Sequence, residues 1–211
     1  MQMAMEIKMG KELRLIRPAR EYLQSYEEAR KEYRSGVPVS TYPFLDLSGE
    51  EFLAKAQDFE QGKELPKGWI PATYLWLADE TEFWGEVSIR HELTDALLQF
   101  GGNVGYWVRK SAWGRGIGTE MLRQTLAYIG EYLALDRVLL TCNDENIASA
   151  RIIEKNVGIL QDKIENSDRA GTRLTRRYWI SVGKPEMEYT NGEGNLHEHN
   201  LSSFIATRCV K

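Results

Sequence analysis

An α+β domain with a mixed sheet is the fold class this sequence predicts, and three observations lead there. Periodic segments run in the order strand, two helices, three strands, helix, strand, helix, two strands. Two adjacent apolar segments, 72–78 and 82–91, read as a hairpin through Asp79–Glu82. A long amphipathic helix begins directly behind a strand and a cluster of glycines, Gly114, Gly116 and Gly118.

Each element has its own reason. Leu13–Pro18 is a short apolar strand, and Tyr22, Leu23, Tyr26 and Ala29 follow at helical spacing. Residues 35–43 read as a turn. Ser48 opens a second helix with Glu51 three residues on as a capping box, and Phe52, Leu53, Ala56 and Phe59 share one face. Pro66 and Pro71 end helical possibilities. In the hairpin, Phe83, Val87 and Ile89 alternate with Trp84, Glu86, Ser88 and Arg90, which predicts a polar outer side. Residues 94–102 read as a connection; Val104, Tyr106 and Val108 then alternate with Gly105, Trp107 and Arg109 in a further strand. Met121, Leu122, Leu126, Ile129 and Leu133 give a helix of about four turns. Segment 137–143 is a buried strand, and 146–155 is helical with Ile152 and Ile153 apolar. Strands at 158–164 and 172–182 are joined by the polar turn 165–171.

The 211 residues suit one domain over 1–182, followed by an extension over 183–211 that has no sustained period. With 42% hydrophobic and 27% charged residues the composition is that of a soluble globular protein. A net charge of -4 argues against nucleic acid as a partner. The first residues hold no apolar run long enough for a membrane span or secretory signal, which predicts a cytoplasmic protein without a membrane partner. Two cysteines, Cys142 and Cys209, make no disulfide framework, and Cys142 in its apolar run reads as core. His197 and His199 flank Glu198 in the tail, too weak a set for a metal site, so no metal is expected. A homodimer is left open.

The glycine cluster carries the chemistry. Without Cβ atoms, successive backbone N–H groups approach a ligand closely, and the positive end of the following helix adds to their pull on an anion. A pyrophosphate is the natural guest. The alternative is a plain tight turn. There is no GK[ST] of a nucleoside-triphosphate loop, and the spacing differs from the GxGxxG dinucleotide pattern.

Segment 105–126, GYWVRKSAWGRGIGTEMLRQTL, resembles the coenzyme A motif of the GNAT acetyltransferase superfamily, [QR]xxGxG[GA], with Trp113 where Gln or Arg is usual. Segment 143–160, NDENIASARIIEKNVGIL, is similar to the family's later motif NxxSxxxxEKxGF through Asn146, Ser149, Glu154 and Lys155; Val157 is an extra residue before Gly158, and Ile159 replaces Phe. The resemblance covers about residues 11–182.

That resemblance implies a mostly antiparallel central sheet, flanked by helices, with a V-shaped splay between two parallel strands ending at Val108 and Asn143. It implies acetyl-CoA as co-substrate and transfer of acetyl to a primary amine of a small molecule, peptide or protein, by direct attack in a ternary complex. Val108, Arg109, Trp113, Gly114, Arg115, Gly116, Ile117, Gly118, Thr119, Asn146 and Ser149 are the implied cofactor-binding residues, with Lys110 a further cation nearby. Backbone groups at Val108 would bond the pantetheine or form an oxyanion hole. The acceptor amine is protonated at neutral pH, so a base must take its proton; Glu86 and His91 are the candidates, each with a structural alternative. Many family members carry a tyrosine seven residues after the Asn to protonate the departing thiolate; here that position is Ile153, leaving Ser149, Tyr106 or water. A non-catalytic coenzyme A-binding or interaction module is the alternative function. A ribosomal or nucleic-acid-associated target is disfavoured because no basic docking face is evident. Tyr42, Phe44, Trp69 and Trp84 line an acceptor cleft or, the favoured reading for most of them, belong to the core.

Overall fold

The computed structural model describes residues 12–34, 47–168 and 171–183. The predicted turn at 35–43, with Tyr42 and Phe44, and the tail from residue 184, with His197, His199 and Cys209, lie outside these residues.

Strand β1 (Arg14–Ile16) leads through a single 3-10 turn into helix α1 (Leu23–Arg34). Helix α2 (Gly49–Glu60) starts at Ser48, whose side chain accepts from the Glu51 amide while the Glu51 carboxylate reaches back to the Ser48 amide, the predicted capping box. Strands β2 (Ala72–Ala78), β3 (Phe83–Arg90) and β4 (Val104–Val108) follow in an antiparallel sheet of order β1-β2-β3-β4. The β2–β3 hairpin closes on Asp79, whose carboxylate accepts from the amides of Thr81 and Glu82. The connection after β3 contains a short helix, α3 (Asp95–Gln99), capped by Thr94, that periodicity over so few residues did not reveal. Helix α4 (Ile117–Tyr132) follows the glycine cluster, then β5 (Arg137–Asn143), α5 (Ile147–Lys155), β6 (Ile159–Asp168) and β7 (Gly171–Ser181). The last two strands pair as far as Asp168↔Gly171, so residues 165–168, expected in a turn, continue the ladder.

Helices α1 and α2 cover one face of the first sheet and α4 the other. The α1–α2 face is aromatic: Tyr26 stacks on Trp76 at 4.5 Å between centroids, with Phe52, Phe83 and Trp107 around them. The α4 face is aliphatic and continuous with the second sheet, since Val87, Ile89, Val104, Leu122 and Ile129 pack in one cluster with Val138, Leu140, Ile153 and Ile180. Burial of both faces overturns one expectation. The centre of the polar stripe of β3 does not face solvent: Glu86 is 1% exposed and accepts the indole N–H of Trp76 at 2.8 Å, because α1 and α2 lie over it, while Trp84, Ser88 and Arg90 are half-buried.

All ladders among the described residues are antiparallel, and they form two sheets rather than one; the second has the order β5-β7-β6. The two meet at a clasp just before β4, where Asn103 N–H donates to the Leu139 carbonyl at 2.7 Å and the Leu139 amide donates to Asn103 Oδ1 at 2.9 Å, beside an isolated bridge Gly102↔Leu140. Beyond the clasp β4 and β5 share no ladder. That seam is the splay.

Candidate functional site

Strand register decides what borders the seam. In an antiparallel pair, residues alternate between those whose main-chain groups bond the partner and those whose groups point away. Arg109 N–H donates to the Trp84 carbonyl at 2.9 Å, and Gly85 is opposite Val108, so the main-chain groups of Val108 and, two residues back, Tyr106 point away from β3, toward the seam. One of these is already engaged. The Val108 carbonyl accepts the Tyr33 hydroxyl from the end of α1 and the Trp113 indole N–H at 2.9 Å. Tyr33 was missed in the sequence, although it continues the α1 face of Tyr22, Tyr26 and Ala29; its target is 75 residues away and left no local signal.

From Val108 the chain passes through a 3-10 turn, Lys110–Ala112, into the glycine cluster. Gly114 and Gly116 have φ of 75° and 80°, and a Cβ on either would meet nothing within 4 Å. Conformation demands glycine at both positions, and the space beside them is open. Gly118 is different: it is buried, and its Cβ would stand 2.6 Å from Ile152 Cδ1, so glycine there permits close packing of α4 on α5. Trp113 N–H bonds Lys110 O, so this amide is engaged within the turn. Among the described residues the amides of Gly114, Arg115, Gly116, Ile117, Gly118 and Thr119 make no well-formed hydrogen bond to a protein acceptor, and they precede the first in-register bond, Glu120 N–H to Gly116 O. They lie at the positive end of a 16-residue helix, an arrangement whose chemistry suits an anion.

The cations separate into two kinds. Arg109, expected near phosphate, is buried and bonds Glu32, Ser25 and the Phe83 carbonyl, with Glu82 at 3.4 Å. Although burial opposes it, the Ser111 amide and Arg109 hold the Glu32 carboxyl below the usual carboxylate range. This network ties α1 to the end of β4 and occupies the Arg109 side chain internally. Arg115 is exposed, and its guanidinium carbon lies 5.3 Å from the Trp84 ring centroid.

On the far side of the seam, Asn146 caps α5: its Oδ1 accepts the Ser149 amide at 3.0 Å. Ser149 Oγ lies 2.8 Å from the Tyr106 hydroxyl, a link between β4 and α5 across the seam. Burial raises the Tyr106 phenol, so it stays protonated, and pushes the Cys142 thiol up to about 11. Cys142 is therefore a neutral core thiol.

The two candidate bases do not come together. Glu86 is adjacent in β3 to Gly85, the partner of Val108. His91 lies just past the end of β3, six residues from Gly85, which is about 20 Å at roughly 3.3 Å per residue. Its Nε2 lies 2.8 Å from Thr73 Oγ1, whose proton goes to Glu60 at 2.8 Å, so the imidazole donates there. The structure gives His91 a place in a support for α2, remote from the glycine turn.

Comparison with known proteins agrees with this layout. A family model described as an acetyltransferase (GNAT) domain matches residues 13–156. Among solved structures, the microcin C7 self-immunity acetyltransferase MccE in complex with acetyl-CoA and AMP is 17% identical, with a TM-score of 0.60 over 83% of this chain and 96% of that one. The ribosomal L7/L12 α-N-protein acetyltransferase RimL with coenzyme A is 16% identical, TM-score 0.60, over 82% and 95%. The ribosomal-protein-S5-alanine acetyltransferase of Vibrio fischeri is 16% identical, TM-score 0.57, over 82% and 93%. No curated protein gives a significant match. At these identities the structures establish the fold, and the family model, spanning more than half the sequence, establishes the rest: the chain belongs to the GNAT acetyltransferase domain family.

Proposed function

We propose that this acyltransferase moves the acetyl group of acetyl-CoA to a primary amine of a small molecule, peptide or protein, by direct attack while both substrates are bound. The observation that carries the reading is the coincidence of an open sheet seam with a glycine turn whose amides from Gly114 to Thr119 make no well-formed hydrogen bond to a protein acceptor among the described residues. A diphosphate fits the turn because open space lies beside Gly114 and Gly116. An extended amide-containing arm fits the seam because Tyr106 and the Val108 N–H present main-chain groups to it. The MccE and RimL structures, with acetyl-CoA and coenzyme A respectively, support the same ligand class.

In this reading the Gly114–Thr119 amides and Arg115 hold the pyrophosphate, and the Val108 N–H stabilises negative charge on the thioester oxygen during attack. Glu86 takes the ammonium proton, since it is one residue from the pair that borders the seam. His91 has no part in proton transfer. Tyr106 and Ser149, hydrogen-bonded to each other across the seam, supply the proton to the departing thiolate; Asn146 positions Ser149 through the α5 cap.

Calorimetry with acetyl-CoA and a coenzyme A-release assay over a broad amine panel test the reading. Binding together with amine-dependent thiol release is expected. Absence of binding removes it; binding without release for any amine leaves the non-catalytic coenzyme A-binding module.

A further inference from the structure

Arg115 presents an unusual arrangement for an exposed arginine. Among the described residues no carboxylate pairs with it, yet its guanidinium is held over the Trp84 ring at 5.3 Å. Trp84 is itself fixed. Its indole N–H donates to Asp79 Oδ2 at 3.0 Å in the β2–β3 turn, and its ring packs in the small cluster of Leu77, Val108, Ala112 and Met121, with Ile117 beside it. The same ring carries Arg109 at 5.6 Å, whose charge is balanced by Glu32 and Glu82. A cation on an aromatic face keeps its N–H edges free for an anion, whereas one in a salt bridge does not.

We propose that Trp84 is a positioning residue that pre-orders Arg115 for the pyrophosphate of the ligand, so that the turn binds through six open amides and one pre-aimed guanidinium. The reasoning rests on the acetyl-CoA reading above. Arg115 lies between Gly114 and Gly116, whose amides face the same anion, and its side chain has no competing partner in the fold among the described residues. A flexible arginine loses rotamer freedom on binding; one already docked on a rigid ring loses less.

The test is a double-mutant cycle on the full chain, titrating coenzyme A and dephospho-coenzyme A by calorimetry. Arg115→Gln weakens both ligands about tenfold, as expected for loss of a charged hydrogen bond. Trp84→Leu weakens them about fivefold, the scale of a lost cation–π contact, and Trp84→Phe less. In the Arg115→Gln background neither Trp84 change has a further effect. Additive losses overturn the inference, because they mean that Trp84 acts on the turn and not through Arg115. A loss confined to coenzyme A overturns it too, since it puts Arg115 on the 3′-phosphate. If Trp84→Leu does not fold, the Trp84→Phe cycle decides alone. Failure of the unaltered protein to bind either ligand removes the acetyl-CoA reading itself, an outcome distinct from additivity.

Discussion

The Trp113 indole donates to the Val108 carbonyl at 2.9 Å, so the first residue of the GNAT turn is tied to the strand end that borders the seam. Tyr33 bonds the same oxygen and meets the Trp113 ring edge-on at 6.1 Å. Trp113→Phe keeps the ring and removes the donor. Stability then falls by about 1 kcal/mol, the net worth of one such bond, read as a shift in denaturant midpoint. Coenzyme A affinity rises, because one of the two lone pairs of the Val108 carbonyl is freed for the ligand while Tyr33 keeps the other. A weaker affinity would instead assign the half-exposed indole face itself to binding.

Gly116→Ala and Gly116→Asp separate backbone strain from charge. At φ 80° with open space around it, alanine costs about 1–2 kcal/mol of left-handed strain and meets no neighbour. Aspartate adds a carboxylate at the anion site. We expect a modest loss of coenzyme A affinity for alanine and a loss of 100-fold order, about 3 kcal/mol, for aspartate. Equal losses in calorimetry would place the phosphates elsewhere.

Val157, the extra residue before Gly158, has φ of 58° and is 75% exposed at the end of α5. A β-branched residue is poorly suited to that conformation, where helices end most often on glycine. Val157→Gly therefore raises stability by about 0.5–1 kcal/mol, the strain relieved less the extra freedom of glycine in the unfolded chain. Gly158→Ala does the opposite, because its Cβ would collide with Ile153. Thermal unfolding of both variants checks the pair.

Glu86→Gln lowers kcat by about 100-fold, the usual scale of general-base loss, whereas His91→Gln leaves kcat within about twofold. The histidine acts on stability. Burial lowers its folded-state pKa from 6.5, so the unfolded chain binds the proton first. Its contribution is fully present above pH 6.5 and declines as pH falls from there toward the folded pKa. Chemical denaturation between pH 7.5 and about 5 should show a steeper decline for the unaltered protein than for His91→Gln; identical slopes would remove this assignment.

By itself the sequence determined the order of the main elements, the α2 capping box, the glycine turn at 114–118 ahead of α4 and the family, because each rests on local spacing: a period of two or about four residues, a cap three residues from its partner, or glycines one residue apart. Short α3 and the full reach of β6 and β7 escaped, since five residues are too few for a helical period and a hairpin ladder is fixed by its partner strand. What surrounds each candidate side chain was decided only by the tertiary structure. Glu86 looks solvent-facing until α1 and α2 close over it, Arg109 looks available until Glu32 arrives from 77 residues away, and His91 looks close to the site until the length of β3 separates them. Alternation along a strand tells which side a residue takes, but the element packed on that side, and hence the burial and partners that set its chemistry, comes from chain segments far off in sequence.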